Sequence, residues 1–72
     1  MSDQALAEVL AERYEAPYMS GRRLGVGTTR VGQLVSGGRL RALNTPLGRL
    51  IERASVDELL RERQARRDHR GH

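Results

Sequence analysis

The chain has 72 residues, 38% of them hydrophobic, with no Cys, Phe or Trp. This is enough for one small domain built on Leu, Val, Ile and two Tyr, near the lower limit for folding alone. The lack of cysteine excludes a disulfide scaffold, a thiolate zinc site and a cysteine nucleophile, and the net charge of +4 rests on 13 basic residues that are all arginine.

Ser2 or Asp3 is a suitable cap for a first helix over residues 4–14, with acids early in it. Leu6, Val9, Leu10 and Tyr14 fall at helical spacing and form one narrow apolar stripe. That stripe either covers the small core or is a surface for a partner. Pro17 opens a second, shorter helix that ends near Leu24, with Gly25 as its stop. Thr28 to Ser36 reads as a third helix, with Val31, Leu34 and Val35 inward and Arg30 and Gln33 outward. Gly37 and Gly38 end it, Gly38 in the left-handed position.

Beyond this lies Arg39-Leu40-Arg41-Ala42-Leu43, a break at Thr45-Pro46-Leu47-Gly48, and then Arg49-Leu50-Ile51. Pro and Gly there suit a turn closing a two-stranded hairpin. Ser55 followed by Glu58 reads as a capping box opening the last helix, with Val56, Leu59 and Leu60 inward. Asp57–Arg61 and Glu62–Arg66 are supporting pairs four apart. From residue 67 the chain has no apolar anchor and reads as a disordered tail.

Charge is distributed unevenly along the chain. Residues 1–15 carry −3, residues 16–51 carry +6 without one acid, and residues 52–72 carry +1. A basic zone cleared of carboxylates suits a polyanion such as nucleic acid; an Arg-rich solvated face has the same composition. Forked guanidinium groups favour bidentate phosphate or guanine contacts, although a GC-rich genome produces the same preference for arginine. His69 and His72 stand three apart with one acid nearby, which is too little for a metal site. The acids fall on solvent-facing helix positions in the terminal segments, with no nucleophile–base pair. Neither an enzyme nor a cofactor is expected. No run approaches the roughly 20 apolar residues of a membrane helix, and no signal segment opens the chain. No membrane partner is therefore expected.

Two short helices around a Gly-containing turn, the second with an exposed polar face, form the helix-turn-helix pattern. Gly21 allows close approach, Gly25 makes the turn and Val26 fills the space between the helices. Thr28, Thr29, Arg30 and Gln33 then face outward near the start of the second helix, where side chains reach base edges. Arg30 suits guanine, Gln33 adenine, and the threonines a phosphate or a thymine methyl.

The stretches RLGVGTTRVGQLVSGGRLRAL and TPLGRLIERASVDELL resemble the MerR-like excisionase superfamily, with the likeness covering about residues 16–60. The resemblance implies a mainly α fold with a small β-hairpin, that is, a winged helix-turn-helix over 16–66. An additional acidic amphipathic helix would occupy 1–15, and the tail 67–72. It implies non-catalytic, sequence-specific binding of double-stranded DNA, as a recombination directionality factor or a small transcription regulator. By that likeness Thr28, Thr29, Arg30 and Gln33 enter the major groove and Arg49 with its hairpin enters the minor groove. Arg22, Arg23, Arg39 and Arg41 contact phosphates. An integrase or another copy of the chain is the implied protein partner, no small-molecule effector is expected, and the setting is cytoplasmic, bacterial or phage-type. Four departures from the pattern are Gly27 in place of a Ser or Thr cap, Gly32 inside the recognition helix, Gly21 and a bulky Tyr18 in the first motif helix instead of an Ala-rich run, and a wing that keeps only Arg49 of a basic tip cluster. The rival function is a phage-type or antitoxin-like protein-interaction module that uses Leu6, Val9 and Leu10.

Overall fold

The computed structural model describes residues 2–70, with side chains through Asp68. Helix α1 (Asp3–Arg13) is followed by strand β1 (Tyr14–Glu15), helices α2 (Pro17–Leu24) and α3 (Thr28–Ser36), strands β2 (Ala42–Thr45) and β3 (Gly48–Glu52), and helix α4 (Arg53–Arg70). The fold is mainly helical, with a small antiparallel sheet in the order β1-β3-β2.

Local chemistry sets most of these boundaries. Ser2 caps α1, its hydroxyl accepting from the Ala5 N–H at 3.1 Å. Pro17 stands in the first turn of α2, and Gly25 ends that helix in the left-handed region at φ 73°. Gly38 does the same after α3 at φ 78°. That turn lets the N–H groups of Arg39 and Leu40 reach back to the Leu34 carbonyl at 2.8 and 3.2 Å. The helix end is closed, and Leu40 is directed into the core. Pro46 and Leu47 connect β2 to β3, with Thr45 opposite Gly48. The Thr45 hydroxyl donates to the Gly48 carbonyl at 2.6 Å and accepts from the Leu47 N–H at 3.2 Å.

The core is Leu24, Val31, Leu34, Leu40, Ile51, Val56 and Leu59, with Val26, Val35 and Leu60 packed against it. It therefore draws on α2, α3, β3 and α4, with Leu40 from the segment between α3 and β2, and takes nothing from α1. No residue of α1 is buried, and Leu6 is 49% exposed. Of the two expectations for its stripe, covering the core is not met: no α1 residue joins or packs against the core cluster.

Four further expectations are corrected. First, the sheet has three strands, because Tyr14 leaves the helix and pairs with Glu52 while Glu15 pairs with Ile51. Residues 14 and 15 thus belong with the hairpin rather than with the acidic helix. Second, Ser55 is not a helix cap. Strand β3 runs into α4 without an intervening residue, so Ser55 lies within the first turn, where its hydroxyl donates to the Glu52 carbonyl at 2.7 Å and accepts from the Arg41 N–H at 3.1 Å. Third, Asp57 and Glu62 pair with Arg23 and Arg39, on other elements, instead of four residues along α4. Fourth, α4 remains helical through Arg70, although residues 67–70 read as a disordered tail; Gly71 and His72 lie outside the described residues. Among the described residues no helix is long and apolar enough to cross a membrane.

Candidate nucleic-acid interface

Helices α2 and α3 meet at a backbone contact that only glycine permits. A Cβ placed on Gly21 would stand 2.6 Å from the Val26 carbonyl oxygen and 3.5 Å from Val31 Cγ2. The Val26 N–H donates to the Gly21 carbonyl at 2.8 Å, so the turn is tied to the middle of α2. Val26 then packs against the core. The expected roles of Gly21, Gly25 and Val26 all hold.

This seating fixes which side of α3 faces out. Val31 and Leu34 are 1% and 6% exposed, while Thr28, Thr29, Arg30 and Gln33 are all exposed. Arg30 donates to the Gln33 side-chain oxygen at 3.2 Å, so the two are already paired, one turn apart. Gly27 stands at the N-cap with no side-chain hydrogen bond. A Cβ on Gly32 would meet nothing within 4 Å.

The acid-free basic zone of the sequence is not acid-free in space. Arg23 bonds Glu15 at 2.7 Å and also pairs with Asp57. Arg39 bonds Glu62 at 2.6 Å. Arg41 donates to Glu52 at 2.7 Å and pairs with Glu58. Five carboxylates from the flanking segments thus cover three of the six central arginines. Arg23, Arg39 and Arg41, expected to contact phosphates, each hold a carboxylate in this fold. Arg22 and Arg30 are exposed with no ion pair among the described residues, and Arg49 touches only the Asn44 side-chain oxygen at 3.4 Å.

Charge pairing shifts two of these groups. Burial works against the Arg23 cation, but hydrogen bonds to Glu15 and Asp57, with their charges, outweigh it and leave its pKa raised. Hydrogen bonds from Arg41 to Glu52 and then to Glu58 raise its pKa as well. Both remain cationic at any physiological pH.

Sequence reasoning missed Glu15, which it placed on a solvent-facing helix position. It lies on β1 and is 6% exposed, with one oxygen accepting from the Ser20 hydroxyl at 2.6 Å and the other from Arg23. The only sequence signal is an acid directly before Ala16-Pro17, where a helix cannot continue. None of the expected partner residues Leu6, Val9 and Leu10 joins the core; Leu6 is exposed, and Val9 and Leu10 are half-buried. Leu10 lines a shallow groove with Tyr14, Tyr18, Met19 and Leu50. The side chains of His69 and His72 lie outside the described residues. No protein-family model, curated protein or solved structure matches this chain.

Proposed function

We propose that the chain is a winged helix-turn-helix protein that binds double-stranded DNA in a sequence-dependent way. One observation carries the reading: α3 is locked to α2 through Gly21 and the core, while Thr28, Thr29, Arg30 and Gln33 remain exposed. Rigid seating with an exposed polar face at the helix start is what base readout requires. Arg30 is the candidate for guanine, Gln33 for adenine and the threonines for phosphate or thymine methyl. The β2–β3 hairpin, with Arg49 near its turn, is the candidate wing, and Arg22 is a phosphate contact.

On this reading the protein is a small excisionase-like factor, serving recombination or transcription without catalysis. The test is selection of binding sites from a random duplex pool, followed by anisotropy titration of the selected and scrambled duplexes. The expected result is a preference for the selected duplex that Arg30→Ala with Gln33→Ala abolishes. No preference, or one that survives both substitutions, overturns it.

The exposure of α1 favours a second reading. A helix with no buried residue and Leu6 half-exposed suits capture of a partner protein, an integrase or another copy among them, through Leu6, Val9 and Leu10. A wild-type chain that discriminates no duplex would favour this reading.

A further inference from the structure

The inward face of α4 changes character along its length. Val56, Leu59 and Leu60 line it where it crosses the core. Continued at spacings of three and four residues, the same face carries Arg63, Arg66 and Arg67. Beyond Leu60 the helix runs ten further residues to Arg70, a projection of about 15 Å past the last core contact.

Arg63 marks where that face leaves the body. It is half-buried, and its guanidinium donates to the Leu24 carbonyl at 2.9 Å. Leu24 is the last residue of α2, directly before the turn into α3. The arginine stripe therefore emerges beside the α2–α3 turn. Arg66 and Arg67 are exposed, and neither has an acid or hydrogen-bond acceptor as partner among the described residues. The nearby acids are occupied elsewhere, Glu62 by Arg39 and Asp68 by the Gln64 amide. This contrasts with Arg23, Arg39 and Arg41, which the fold neutralises.

We propose that Arg66 and Arg67 bind the phosphate backbone of duplex DNA, clamping the strand that flanks the bases read by α3. The inference rests on the DNA-binding reading above and adds to it a contact that carries no sequence information. Unpaired guanidinium forks on a helix face joined to the α2–α3 turn through Arg63 present free donors to phosphate oxygens. The helix backbone that carries them is already ordered, so only the two side chains lose freedom on binding.

The experiment is an anisotropy titration of the full chain against a mixed-sequence duplex over a salt series. It compares wild type, Arg66→Gln with Arg67→Gln, Arg66→Lys with Arg67→Lys, and a charge-matched control, Arg13→Gln with Arg61→Gln. Glutamine keeps helix propensity close to that of arginine, and circular dichroism checks that α4 persists. The glutamine pair is expected to bind more weakly and to reduce the log–log salt slope by about 1.8, that is, about 0.9 per lost phosphate contact. The lysine pair keeps the slope, and the control leaves it unchanged. An unchanged slope in the glutamine pair overturns the inference, and so does an equal fall in the control, which would reflect net charge alone. If α3 still discriminates the selected duplex, the DNA-binding reading survives that failure. If wild type binds no duplex at low salt, the DNA-binding reading itself fails, and the clamp with it.

Discussion

Glu15 and Arg23 bond at 2.7 Å and join the first strand to the second helix through the least exposed acid in the molecule. The carboxylate is 3% exposed and the guanidinium 31%. Ser20, fully buried, donates to the other carboxylate oxygen, so each oxygen of Glu15 has a donor.

Glu15→Gln removes the charge and places amide hydrogens against a donor that needs an acceptor. The expected cost is about 2 kcal/mol or more, which in a domain this small lowers the thermal midpoint by roughly 10 °C. Thermal melts followed by circular dichroism measure it. A midpoint within about 2 °C of wild type would mean that the cluster adds nothing net.

Two glycines on neighbouring helices should respond in opposite directions to the same substitution. Gly21→Ala drives a Cβ into the Val26 carbonyl and should cost about 1–3 kcal/mol. Gly32→Ala meets open space and should stabilise α3 by up to about 1 kcal/mol. Urea midpoints of the two variants decide the matter; the same sign for both would contradict the seating of α3 described above.

Arg39 and Glu62 are both exposed partners, 45% and 56% by side chain, and such pairs add little to stability. Glu62→Gln should therefore leave the urea midpoint nearly unchanged. It frees Arg39 for a phosphate, so duplex affinity at low salt should rise several-fold and the salt slope should steepen by about 0.9. Unchanged affinity would mean that Arg39 lies away from the bound DNA.

Leu6 contributes nothing to the core. Leu6→Ser should change stability by less than about 0.5 kcal/mol, measured by urea unfolding. A loss of 2 kcal/mol or so would show that α1 packs far more firmly than its exposure indicates.

The parts legible in the sequence are those decided within a few residues. Pro17, Gly25 and Gly38 each act on their own turn, and the limits of α2 and α3 follow from them. The outward set on α3 follows from the spacing of Val31 and Leu34. Strand β1 was not legible, because two residues carry no periodicity and exist as strand only through pairing with β3. The true partners of Ser55, Asp57 and Glu62 were hidden for a related reason. Local spacing offers each a plausible neighbour, and only the folded chain brings Arg41, Arg23 and Arg39 closer. The charge map misled most: a stretch without acids became a surface where half the arginines are neutralised by residues distant in sequence.

The overhang of α4 and the unpacked α1 also affect how the molecule behaves in solution. Its principal extents are 52 × 23 × 19 Å and its radius of gyration is 14.0 Å, against about 11 Å for a compact chain of this length. Such a rod drags more water and tumbles more slowly end over end than a sphere of equal mass. A single copy will elute from a sizing column where a larger globular protein is expected. Early elution is therefore no sign of pairing, and stoichiometry has to be read from mass, by light scattering or sedimentation equilibrium, rather than from size.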